Sequence, residues 1–242
     1  MLKIYFSFAK NVDVRKEKDY NKEEKLHIQA HIFCRYWRLM VEKIKELSES
    51  LKTKGYLVEC FASKEEAAEY MDKAIDNTSV GIGGSETVRQ MGLFELLTKH
   101  NTVYWHAKTP ENMTVAETRL AATKAAVYIS SVNGISMQGD IINIDGTGNR
   151  VAGISYGPDD VYFVVGKNKI ADDYEAAMYR ARNVAAPLNA KRLNRNTPCA
   201  VKGDRCYDCK SPERICRNFS IFRECPSGRK YHVILINEEL GF

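Results

Sequence analysis

The stretch Ser79-Val80-Gly81-Ile82-Gly83-Gly84-Ser85-Glu86-Thr87 decides the fold class. A short apolar strand, Ser79–Ile82, runs through glycines into a helical segment over 86–98, with Gly92 as a break. Strand, glycine turn and helix make the repeating unit of α/β proteins. Reading outward, further strands fall at Tyr56–Phe61, Thr102–Trp105, Ala126–Ser130, Ile135, Ile141–Ile144, Val161–Val165 and Tyr231–Ile236. Between them lie helical segments: one capped by Ser63 with Glu66 three residues on, one over 115–124, and one over 172–184 ending before Pro187. Val161-Tyr162-Phe163-Val164-Val165 is apolar on both faces, as a strand buried between two layers must be. The expectation is an α/β fold with a mostly parallel sheet and flanking helices.

The 242 residues carry 44% hydrophobic and 28% charged positions, which excludes collagen, low-complexity disorder and a disulfide mini-protein. Charge is uneven. The whole chain has 36 Lys and Arg against 31 Asp and Glu. From Asn189 to Tyr231 the count is 11 against 4, leaving 25 against 27 elsewhere. Five of the seven cysteines lie in that basic stretch. Residues 190–230 are therefore expected as a Cys-rich basic insertion before the last strand, within a domain spanning 55–242.

A helical region is expected over 1–54. Leu26, Ala30, Phe33, Trp37, Met40, Ile44, Leu47 and Leu51 recur at alternating spacings of four and three, the stripe of an amphipathic helix. It packs on its own domain or forms a seam between two copies of the chain. The alternating Leu2, Ile4, Phe6 and Phe8 read as a short strand or packed arm rather than an export signal. No membrane span is expected, and the compartment is read as cytoplasmic, with reduced thiols.

Three groups of residues carry chemistry. Gly83, Gly84, Ser85 and Thr87 sit where a strand enters a helix, a place suited to a phosphate or carboxylate; the alternative is a tight turn with Ser85 as N-cap. Neither the dinucleotide fingerprint nor the P-loop is complete, because Glu86 replaces a glycine and no Gly-Lys-Ser/Thr follows. The second group is Asn133-Gly134 and Asp145-Gly146-Thr147-Gly148-Asn149-Arg150, dense in turn signals. Arg150 suits an anion, and Asp145 reads as a base, a metal ligand or a turn former. Asn168 and Lys169 follow the apolar strand, where sites in open sheets lie.

Third, Cys199, Cys206, Cys209 and Cys216, with Cys225 in reserve, have the C-x2-C core of a zinc or iron–sulfur site. Alternatives are a metal-free reduced segment or an adventitious disulfide. Cys34 and Cys60 are isolated and are expected to be buried.

The order of Gly83-Gly84-Ser85-x-Thr87, Gly139-x-x-x-Asn143-Ile144-Asp145-Gly146-x-Gly148-Asn149-Arg150, Gly157-Pro158, Gly166-x-Asn168-Lys169, Ala185-Ala186-Pro187-x-Asn189 and Glu239-Leu240-Gly241-Phe242 resembles the lactate-utilisation (LUD) domain family. The resemblance runs from about residue 57 to the end. It implies a fold similar to the sugar-phosphate isomerase and CoA-transferase superfamily. It also implies a part in 2-hydroxy acid metabolism beside iron–sulfur partner subunits, as an oxidoreductase component or accessory subunit.

The expected ligand is a small anionic metabolite. The expected cofactor is an iron–sulfur cluster, or alternatively zinc or none. The competing reading is a non-redox enzyme of isomerase or transferase type that binds a phosphate ligand. A nucleic-acid binder using Tyr207, Phe219 and Phe222 ranks last, since Asp204, Asp208, Glu213 and Glu224 interrupt the basic stretch.

Overall fold

The computed structural model describes residues 39–242. The readings on Leu2–Phe8, on Leu26–Trp37 and on Cys34 lie outside the described residues. Residues 40–242 form one compact unit. A helix that ends at residue 53, α1, leads into β1 (Leu57–Phe61), α2 (Lys64–Ala74) and β2 (Ser79–Ile82). Two short helices, α3 (Glu86–Gln90) and α4 (Leu93–Leu97), meet at Gly92, which is left-handed at φ 64°. Then come β3 (Thr102–Trp105), α5 (Val115–Thr123) and β4 (Val127–Ser131). A second set follows: β5 (Gly134–Ser136), β6 (Ile141–Asp145) and α6 (Asn149–Ser155). The chain returns through β7 (Asp160–Gly166), β8 (Ile170–Ala171), α7 (Tyr174–Arg180), α8 (Ala186–Arg192) and α9 (Pro198–Lys202), then β9 (Asn218–Phe222) and β10 (Lys230–Ile236).

Six strands form a parallel sheet in the order β1-β10-β7-β4-β2-β3. Its central strands are buried on both faces because their side chains alternate between two cores. From β10, Ile234 and Ile236 join Val80, Ile82 and Val164 under α2, α3 and α4. Tyr231, Val233 and Leu235 point the other way, to Phe163, Val165 and the smaller sheet's Ile135 and Ile141. Ile44, Leu47 and Leu51 of α1 are in this second core, so the last turns of the N-terminal stripe pack on their own subunit. The smaller sheet has the order β8-β5-β6-β9, with β5–β6 and β6–β9 antiparallel. The basic stretch thus returns as strand β9 on β6 before β10 enters the main sheet.

Three local expectations are corrected. Neither Asn133-Gly134 nor Asp145-Gly146 closes a hairpin; the first leads from one sheet to the other and the second leads into α6. The hairpin turns instead at Gly139, φ 84°, between β5 and β6, the glycine through which the sequence joins the strands at Ile135 and Ile141–Ile144. The helix does not stop before Pro187. A π-turn over Ala181–Ala185 carries the helix on into α8 without a break, Arg180, Ala185 and Ala186 all being right-handed helical, and the widened turn before Pro187 accommodates the ring and the N–H it lacks. Cys60 is exposed: it shares a face with the buried Val58, but β1 is the edge strand and the cover there does not reach its last residues.

Candidate anion-binding crevice

After β2 the chain turns to α3 and α4 on one face and reaches β3 at the sheet edge. After β4 it leaves to the smaller sheet on the other face and returns at β7, on the opposite side of β4. The loops beyond β2 and β4 therefore part, and a crevice opens at the carboxyl ends of adjacent strands, the place where α/β sheets bind ligands. Gly84, Ser85, Glu86, Ser131, Val132, Asn133, Arg150, Lys169, Asn189 and Phe242 line it.

Lys169 lies at its floor, 3% exposed. Its Nζ donates to Thr87 Oγ1 at 2.8 Å and to Ser131 Oγ at 2.7 Å. Each hydroxyl gives its own hydrogen to a carbonyl, Thr87 to Leu240 and Ser131 to Val164. Among the described residues no carboxylate pairs with this amine. Burial, helped by the charges of Arg180 and Arg150, holds it well below the ordinary 10.5.

Arg150 reaches in from α6. Its Nη2 donates to Asn133 Oδ1 at 3.0 Å and to the Ile144 carbonyl, while Nη1 makes only a 3.5 Å contact with the Gly84 carbonyl. Asp145 fixes the start of α6: its carboxylate accepts N–H bonds from Thr147, Arg150 and Val151 at 3.0, 2.9 and 3.2 Å. Burial pushes that carboxyl up, but the Arg150 charge and the N–H donors outweigh it, so it sits below the usual 3.8. Arg180 of α7 ties two loops together, donating from Nη1 to the Asn133 carbonyl at 2.5 Å and from Nε to the Asn168 carbonyl at 2.6 Å. Burial lowers it to about 10.

Of the residues singled out in the sequence, Gly84, Ser85, Glu86, Asn133, Arg150 and Lys169 meet at the crevice, with the Glu86 carboxylate paired to Arg89, and Thr87 stands behind Lys169. The rest serve packing. A Cβ on Gly83 would come within 3.2 Å of both Arg150 and Tyr128. Ser85 caps α3, accepting the Val88 N–H at 3.2 Å. Gly134 backs onto α7, where a Cβ would stand 2.5 Å from the Ala177 carbonyl oxygen. Asn149 gives its carbonyl to Tyr128. Asn168 holds the terminal segment through Leu240 and Gly241.

Sequence reasoning missed Ser131, Arg180 and His106. Ser131 ends an apolar strand, so its place beyond a carboxyl end was readable; Arg180 sits on an ordinary helix and gave no signal. His106 follows β3 and would lie 3.5 Å from a Cβ on Gly84; burial lowers its pKa.

The cysteine stretch packs elsewhere. Cys206 and Cys216 line a separate cavity of about 270 Å3 with Arg182, Asp208, Arg214 and Phe219. Arg214 donates to Cys216 Sγ at 3.4 Å and to the Cys209 carbonyl at 2.8 Å. Cys199 meets Thr197 Oγ1 at 3.3 Å, and Cys225 packs at the edge of the second core. All are free thiols, and among the described residues no three His, Cys, Asp or Glu side chains gather as metal ligands. Cys206 and Cys216 share a cavity, and a four-thiolate group would need Cys199 and Cys209 drawn to it as well. Of the three aromatic residues considered for base stacking, Phe222 packs on Phe163 and Tyr231, and Lys202 covers the Tyr207 ring.

A family model, the LUD domain, matches residues 44–236, and the chain belongs to that family. No curated protein matches it. A solved structure similar to it is that of a DUF162 family protein from Deinococcus radiodurans. The two are 14% identical, with 81% of this chain and 98% of that one covered and a TM-score of 0.47. Among the described residues no helix is long and apolar enough to cross a membrane.

Proposed function

We propose that the crevice binds the carboxylate of a small 2-hydroxy acid, or of the 2-oxo acid related to it by oxidation, as part of lactate utilisation. The observation that carries this reading is the uncompensated base at the crevice floor. Lys169 is buried with two hydroxyls and no acid among the described residues, and the charged groups acting on it are Arg180 and Arg150. A bound carboxylate supplies the missing charge. The crevice is small, about 30 Å3, which suits the anionic head of a small acid. The cysteine stretch enters no step of this proposal.

The test is a calorimetric titration with lactate, pyruvate, inorganic phosphate and glucose 6-phosphate. Lactate or pyruvate is expected to bind, and Arg150→Met to weaken that binding about tenfold or more, the scale of one charge-assisted contact. Binding of the phosphosugar alone, or of none of the four, would overturn the reading.

A further inference from the structure

The hydrogen atoms around Lys169 can be assigned one by one. Thr87 and Ser131 each direct their hydroxyl hydrogen to a carbonyl, so each presents only lone pairs to Nζ. Nζ must therefore donate to both. A neutral amine has two hydrogens, and both are then committed. What remains on nitrogen is its lone pair, at a position with no hydrogen-bond partner among the described residues. Lys169 is also among the residues that line the crevice, together with Arg150. A lysine whose role was only to bridge two loops would be as well served by an ammonium with a carboxylate partner, and none is present among the described residues.

We infer that Lys169 captures the carbonyl carbon of a 2-oxo acid as an imine, while Arg150 holds the neighbouring carboxylate. This rests on the carboxylate reading above and narrows it from acids in general to those with a carbonyl beside the acid group. The step balances without a further reagent. The Nζ lone pair forms a bond to the carbonyl carbon, and the carbonyl π pair moves to oxygen. The two amine hydrogens pass to that oxygen, the C–O bond breaks, and one water leaves as the C=N bond forms. Desolvation and neighbouring positive charge favour this chemistry because they disfavour the ammonium form of the amine. The two hydroxyls hold the nitrogen so that its free position is fixed before the substrate arrives. A 2-hydroxy acid has no electrophilic carbon at that place, so it can occupy the crevice but not react.

The full chain incubated with pyruvate and sodium cyanoborohydride, then read by intact mass and peptide mapping, tests this. The expected result is one reduced pyruvyl group per chain, on the peptide carrying Lys169, with none when lactate replaces pyruvate and slower labelling when lactate is added as a competitor. Lys169→Arg retains charge and donors but should lose the adduct; Lys169→Met, which removes a buried polar group, should lose it too. Calorimetric binding of pyruvate without an adduct, or labelling spread over the surface lysines and unchanged in both variants, would overturn the imine and leave the carboxylate reading standing. No binding and no adduct would overturn both.

Discussion

Lys169 and its neighbours differ from the cysteine stretch in how far their contacts reach along the chain. The crevice draws on β2, β4, α6 and the segment after β7, and its bonds join residues 38, 66 and 82 positions apart. In the 199–217 stretch several side-chain contacts span only two to five positions: Cys199 to Thr197, Tyr207 to Asp204, Arg214 to Cys216, Arg217 to Pro212. The first is held by the parallel sheet; the second is held mainly by itself, with tethers such as Cys206 N–H to Asn183 and Arg217 N–H to the Asp145 carbonyl. Local bonds in half-exposed segments open at low cost. The crevice therefore resembles a prearranged site, and the thiols a surface element. Removing the sheet's support should collapse the first and leave the second almost unaffected.

The most severe way to break the contrast is Gly81→Ala. A Cβ there would stand 2.0 Å from the Ala122 carbonyl oxygen and 2.8 Å from the Tyr128 ring. A Cβ on Gly153 would also press on that ring, at 2.4 Å. Tyr128, fully buried, thus lies in a slot made by glycines, and neither the backbone nor the ring can yield. Overpacking of this kind should cost about 3 kcal/mol or more. Urea melting should show the main transition moving down and crevice binding lost with it.

Asp145→Asn should come next. The carboxylate accepts three backbone N–H bonds and faces Arg150; an amide oxygen keeps part of the geometry and none of the charge. The expected cost is about 2–3 kcal/mol, that of charge-assisted bonds in a buried setting. The pH sign follows from a carboxyl held below 3.8 in the folded state. Its contribution is complete above 3.8 and is lost as pH falls through the lower folded value. The variant should therefore differ most from the parent near neutral pH, with the gap closing in acid.

The sheet was legible because its strands are apolar runs of the right length and its glycines punctuate them; each strand expected from Tyr56 onward is present. The crevice was legible only in part. Lys169 and Arg150 stand out as bases after strands. The two hydroxyls that define the state of Lys169 are not equally visible, since Ser131 looks like the end of a strand. Gly83 and Gly134 were readable as special, but not as packing partners of Tyr128, Arg150 and α7, because a close approach depends on residues far away in sequence. Pro187 misled for a related reason. A helix stop is a local inference, and a π-turn five residues earlier changes what the proline must satisfy. The cysteine pair Cys206–Cys209 gave the clearest local motif, and Cys216 does come to the same cavity as Cys206, yet among the described residues no three possible ligands gather at one point.

The thiols sharpen the comparison in a second way. Protein prepared without oxygen and treated with iodoacetamide should be alkylated at Cys199, Cys206, Cys209 and Cys216 without a chelator. Stability should change by about 1 kcal/mol or less, as for substitutions at half-exposed positions. Protection of these four until a chelator is added, with stoichiometric iron or zinc in the untreated protein, would instead make the stretch a ligand set that the metal draws together.

The smallest effect is expected at Asp208, the counterpart of Asp145 in the thiol region. Its carboxylate lies 3.6 Å from Arg182 with both side chains exposed, and its backbone is left-handed at φ 45°. Exposed pairs contribute about 0–1 kcal/mol, and asparagine tolerates this backbone as well as aspartate does. Asp208→Asn should therefore change urea stability by less than about 0.5 kcal/mol, the range of surface substitutions. Asp208→Ala should cost more, about 1 kcal/mol, because the methyl group meets the left-handed backbone without a side-chain acceptor to compensate. If the asparagine variant were the more damaging, the carboxylate would be a working part of the Cys206–Cys216 cavity, and the contrast with the crevice would fail at the residue where it is expected to be clearest.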